Sequence, residues 1–142
     1  MDVRFNVLND YVEKFIVCES TISHSGEKKK LNFDINNYPK FKDKIIYIVI
    51  DEEPEGIIGK KNGFAEPHEK RSDSLKRIEL SYDYMIKAIS SASDNDFIIL
   101  SDNDEIPNLN SEQFKKTKKD IIIFKQLFFY YKFNLLYDLV PW

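Results

Sequence analysis

Apolar residues recur at helical spacing near the start of the chain, at Val3, Val7, Leu8, Tyr11 and Val12, and predict a helix there. The pattern then changes to the short run Phe15-Ile16-Val17-Cys18, which reads as a buried strand. Glu19 to Asn32 is polar and carries Gly26, the composition of a loop leaving that strand at its carboxyl end. A second strand is predicted over residues 44–50, where β-branched residues dominate. The charged stretch from Glu52 to Lys76 reads as loop, with His68 exposed in it and no second His or Cys at ligand spacing. From Ser74 to Ile89 the residues Leu75, Ile78, Leu80, Tyr82, Met85, Ile86 and Ile89 lie mostly on a helical period uninterrupted by Gly or Pro.

Asp96-Phe97-Ile98-Ile99-Leu100 lacks polar alternation and predicts a central strand buried on both faces. A short helix is expected from Ser111 to Lys118, then strands at 120–124 and in the aromatic run from Gln126 to Asn134. Strands alternating with helices imply an α/β fold with a mostly parallel central sheet.

The length of 142 residues fits one domain. The chain ends at Val140-Pro141-Trp142 directly after its most aromatic segment, so residues 1–142 are expected to be a partial domain, incomplete at the C-terminus. A net charge of −3 supplies no global positive field, which argues against nucleic acid as a partner. No stretch approaches the roughly 20 apolar residues of a membrane span, and the N-terminus lacks a signal-peptide pattern. Cys18 is the single cysteine and cannot form an internal disulfide; it reads as a small hydrophobe in a strand. Cytoplasmic localisation is the expectation for this chain, although a longer parent could differ.

The predicted third strand runs into Ser101-Asp102-Asn103-Asp104-Glu105-Ile106-Pro107. Ligands of open α/β sheets bind beyond the carboxyl ends of strands. Asp102 and Asp104, one residue apart, can converge on a divalent cation, and hard oxygen donors suit Mg²⁺ or Mn²⁺. A cation would also relieve the repulsion among Asp102, Asp104 and Glu105. The competing reading is a solvated turn, since Asp and Asn are preferred turn residues.

Several segments in order resemble glycosyltransferase family seventeen, a family of N-acetylglucosaminyltransferases. Leu8-Asn9-Asp10 and Lys14-Phe15-Ile16-Val17-Cys18-Glu19-Ser20 resemble its opening helix and first strand. Thr21, Ser23, His24, Ser25, Gly26 and Lys29, with Leu31 and Phe33, resemble the following loop, and Lys44-Ile45-Ile46-Tyr47 its second strand. Arg77 stands where the family has an arginine before its acidic motif, and residues 101–107 resemble the family's Asp-x-Asp signature with a trailing Glu-Ile-Pro. Tyr130-Tyr131-Lys132-Phe133-Asn134 resembles the aromatic segment beyond it. Lys30, Lys76 and Asn103 depart from the pattern without removing a proposed ligand.

The resemblance implies the N-terminal donor-binding portion of a GT-A-like nucleotide-sugar-binding sandwich. It implies inverting, metal-dependent transfer of N-acetylglucosamine from UDP-GlcNAc to a sugar hydroxyl of a glycan. Asp102 and Asp104 would hold Mn²⁺ or Mg²⁺, and Asp102 would also face the donor. Glu19 and Ser20 would meet the nucleotide, Gly26 would lie in a loop over the donor, Lys29 would approach the diphosphate, and Arg77 would orient a carboxylate of the acidic turn. The bland alternatives are a strand-end hydrogen bond for Glu19 and Ser20, a solvated Lys29 and a surface ion pair for Arg77. Phe128 to Tyr131 would form either a sugar-stacking platform or a half-buried strand. Inversion needs a general base, which no residue here is assigned. The alternative function is a non-catalytic remnant that binds a nucleotide sugar or carbohydrate without transfer.

Overall fold

The computed structural model describes residues 1–59, 63, 66–129 and 135–137. They fall into two compact units, Glu13–Phe97 and a second made of Met1–Val12 with Ile98–Trp142.

The Glu13–Phe97 unit is built on two parallel strands, β1 (Phe15–Ser20) and β2 (Ile45–Ile50), paired from Phe15 with Ile45 to Ser20 with Ile50. Phe15, Phe41, Ile45, Ile50 and Ile57 form its buried apolar core, with the Phe15 and Phe41 rings meeting edge to face at 6.4 Å. A long helix, Pro67–Ala88, packs on both strands. It begins seven residues before the expected start at Ser74. Pro67 at its first position is preset for helical φ, and the Glu69 carboxylate accepts the Glu66 amide at 3.0 Å. His68 is exposed as expected, but on the first turn of this helix and not in a loop.

In the other unit, α1 (Asp2–Leu8) buries Phe5 and Leu8 and leaves Val3 and Val7 exposed. The long helix is therefore α2, and a short α3 (Glu112–Lys116) follows, capped by the Ser111 hydroxyl, which accepts the Phe114 amide at 3.2 Å. Two short antiparallel strands, β3 (Phe128–Phe129) and β4 (Leu136–Tyr137), pair Phe128 with Tyr137. Residues 130–134, including Tyr130, Tyr131 and Asn134 of the aromatic segment, lie outside the described residues, as does 138–142.

The fold is thus mixed α/β with a small parallel sheet, and two expected strands are corrected. Residues 96–100 form no strand, and Phe97, Ile98 and Leu100 are exposed, so the acidic turn does not follow a central buried strand. Residues 120–124 likewise form none, with Ile121 and Ile123 exposed. Strand preference describes how well a side chain suits a pleated, partnered surface. These runs have the preference but find no ladder partner among the described residues. No described helix is long and apolar enough to cross a membrane.

Candidate functional site

In the Glu13–Phe97 unit the loops leaving β1 and β2 are organised by charged side chains. The Glu19 carboxylate, near the end of β1, accepts hydrogen bonds from the Lys29 ammonium at 2.6 Å, the amides of Asn32 and Phe33 at 2.8 and 2.9 Å, and the Tyr47 hydroxyl at 3.1 Å. Burial works to raise its pKa, but the donation from Lys29, the two amides and Tyr47 prevails and holds it at about 2. Burial and the facing carboxylate push the Tyr47 phenol up in turn. Phe33, fixed by this network, stacks on Tyr38 at 5.3 Å and meets Tyr47 at 4.9 Å. Lys29 is therefore committed to Glu19 here, while Ser20 accepts the Ile22 amide at 3.0 Å and turns the chain out of β1.

The following segment is a tight hairpin, not an open loop. Ile22 bridges Lys28, and the Gly26 amide donates to the Ser23 carbonyl at 2.8 Å. Gly26 has φ +90°, and a Cβ there would lie 2.7 Å from Arg77 Nη2. Arg77 grips the Glu53 carboxylate at 2.8 and 3.0 Å through Nε and Nη2, and its Nη1 donates to the His24 carbonyl at 3.0 Å. The carboxylate it orients is thus Glu53, beyond β2.

Asp73, fully buried on α2, accepts the amides of Ile58 and Gly59 at 3.0 Å each. Burial opposes its charge, but these amides, with Lys76 and Arg77 nearby, hold its pKa below the ordinary carboxylate value. Lys76 donates to the Gly56 carbonyl at 2.5 Å, and Tyr84 to Glu52 at 2.7 Å. Of the charged stretch Glu52 to Lys76 that reads as loop, residues 52–59 are thus tied to α2, and Pro67 to Lys76 belong to α2 itself. Burial raises the Cys18 pKa, and its thiol faces the Ser81 carbonyl at 3.9 Å, in keeping with a packing role.

The acidic turn belongs to the other unit. The Glu105 amide donates to the Asp102 carbonyl at 3.2 Å, and the Glu105 carboxylate accepts the Asp102 amide at 2.9 Å. Arg4 of α1 reaches it: Nη1 donates to the carbonyls of Asp102 and Glu105 at 3.1 and 2.5 Å, and Nη2 to the Ser101 hydroxyl at 2.7 Å. Asp102, Asn103 and Asp104 are exposed, whereas Pro107 and Leu109 are buried just beyond. None of these bonds uses the Asp102 or Asp104 carboxylate. Two carboxylates are hard oxygen donors, the chemistry that would suit Mg²⁺ or Mn²⁺. No group of three or more His, Cys, Asp or Glu side chains able to hold a metal occurs among the described residues.

Glu19, Ser20, Gly26, Lys29 and Arg77 therefore lie in one unit, and Asp102 and Asp104 in the other. Arg4, Glu53 and Asp73 escaped the sequence reading. Arg4 and Arg77 each use the guanidinium fork to serve several oxygens, a role that no local spacing announces.

The chain belongs to Glycosyltransferase family 17, which it matches over residues 1–142, in agreement with the order of its motifs. Its relatives include the human and rat enzymes named beta-1,4-mannosyl-glycoprotein 4-beta-N-acetylglucosaminyltransferase, each 30% identical over 120 residues, and the mouse enzyme of that name at 29%. Each match covers 82% of this chain, and the chain spans about a fifth (21%) of each relative's length. No solved structure matches.

Proposed function

We propose that this chain is the donor-binding portion of a metal-dependent, inverting N-acetylglucosaminyltransferase with a GT-A-like architecture, acting on UDP-GlcNAc and a glycan hydroxyl. The observation that carries the proposal is the exposed Asp102 and Asp104 pair on a braced turn, in a chain matched throughout by a glycosyltransferase family. When bound, Mn²⁺ or Mg²⁺ would supply Lewis-acid stabilisation of the charge on a departing diphosphate. Asp102 and Asp104 would hold it and orient the donor's phosphates. Glu19 and Ser20 would act at the nucleotide through the loop they shape, Gly26 and the Arg77–Glu53 pair by holding the 21–29 hairpin in one conformation. Lys29 would reach a phosphate only by giving up Glu19.

Calorimetric titration with UDP and Mn²⁺ tests this reading. Binding that requires Mn²⁺ and is lost in Asp104→Ala is the expected result; equal affinity in both proteins would reject it. UDP binding without acceptor-dependent UDP release would identify the non-catalytic remnant instead.

A further inference from the structure

We infer that Arg77 is a latch that makes two loops, the 21–29 hairpin after β1 and the 51–59 segment after β2, open and close as one unit. The inference concerns the Glu13–Phe97 unit alone, goes beyond the donor-binding reading and does not depend on it.

The two strands are parallel, so both loops leave the same end of the pair, the end at which α/β sheets receive their ligands. Arg77 stands between the loops at 8% exposure. Its Nε and Nη2 hold the Glu53 carboxylate of the 51–59 segment, while Nη1 holds the His24 carbonyl at the tip of the hairpin. The Gly26 backbone lies against the same guanidinium, closely enough that a Cβ would come within 2.7 Å of Nη2. The loops also meet directly, where the Thr21 hydroxyl donates to the Asp51 carboxylate at 2.6 Å. Withdrawing the hairpin alone takes an acceptor from a nearly buried guanidinium, and withdrawing the other segment alone takes away its counter-charge; burial makes either loss costly. The rest of the 51–59 segment is registered on the same face of α2, because Asp73, one turn before Arg77, accepts the amides of Ile58 and Gly59. A planar guanidinium serves such divergent oxygens at once, which an ammonium does less well. Anything that enters this edge by displacing the hairpin therefore displaces the segment after β2 as well.

The test is amide hydrogen exchange of the 142-residue chain, read residue by residue by nuclear magnetic resonance. The reporters are the amides of Gly26 and Lys29 in the hairpin and of Ile58 and Gly59 beyond β2. The amides of Phe41 and Ala92, held in local turns away from both loops, are the reference. Glu53→Gln lies outside the hairpin, yet it is expected to speed exchange at Gly26 and Lys29 about tenfold, within the roughly 5- to 150-fold range of coupled sites. Ser23→Ala removes the bond from the Glu27 amide to the Ser23 hydroxyl, entirely within the hairpin, and should speed Ile58 and Gly59 by the same factor as Gly26 and Lys29. Adding Ser23→Ala to an Arg77→Lys background, where the fork is gone, should speed the hairpin alone. Acceleration confined to the loop that carries the substitution overturns the inference, and so does equal acceleration at Phe41 and Ala92, the mark of general loosening. Coupling that survives in Arg77→Lys removes Arg77 from the role of latch. If Arg77→Lys does not fold, Glu53→Gln and Ser23→Ala decide between joint and separate opening.

Discussion

Arg77 and Glu53 form a two-point ion pair, Nε to Oε2 at 2.8 Å and Nη2 to Oε1 at 3.0 Å, with side chains only 8% and 13% exposed. The pair joins α2 to the segment after β2, and the remaining Arg77 bond to the His24 carbonyl adds the segment after β1. One guanidinium thus ties together three stretches that the local pattern treats separately.

Because the pair is nearly buried, removing one partner leaves a charge without compensation. Arg77→Ala should cost about 3 kcal/mol in urea unfolding. Glu53→Gln should cost less, since the amide still accepts one bond. A double variant whose loss equals the sum of the two single losses would show that the pair is not coupled.

Gly26 should tolerate no side chain. Gly26→Ala combines a left-handed φ with a Cβ that would lie 2.7 Å from Arg77 Nη2, and a loss of roughly 1–2 kcal/mol is expected. In an Arg77→Ala background the steric part disappears and only the φ cost should remain. The same penalty in both backgrounds would assign it wholly to the backbone.

Acid should weaken the Glu13–Phe97 unit through Glu19. Its folded pKa of about 2 lies below the ordinary 4.5, so the stability it contributes is fully present above about 4.5 and is lost as pH falls towards 2. Urea midpoints between pH 6 and pH 2 should therefore decline less steeply in Glu19→Gln than in wild type. Parallel slopes would place the acid sensitivity elsewhere.

The Asp73 carboxylate should govern how long the 56–59 segment stays closed. In Asp73→Ala the amides of Ile58 and Gly59 lose their acceptor, and their hydrogen exchange should accelerate well beyond that of the β1 and β2 ladder. Uniform acceleration across the unit would point to global destabilisation.

The amino-acid sequence by itself determined β1, β2, most of α2, the place of α3 and the family. Those features depend on short-range spacing: a β-branched run, a helical period, motifs in order. Even the early start of α2 was written in Glu66-Pro67 and Glu69, a local signature hidden by the surrounding charges.

Only the tertiary structure decided which apolar runs become strands and which charged residues become structural. Residues 96–100 carry strand preference, yet a ladder requires a second backbone, which no local pattern supplies. Arg4 meets the acidic turn across about a hundred residues, Arg77 meets Glu53 across 24, and Lys29 meets Glu19 across 10. A charge draws its role from the partner that burial brings to it, and that partner is chosen by how the chain folds back, not by the residues beside it.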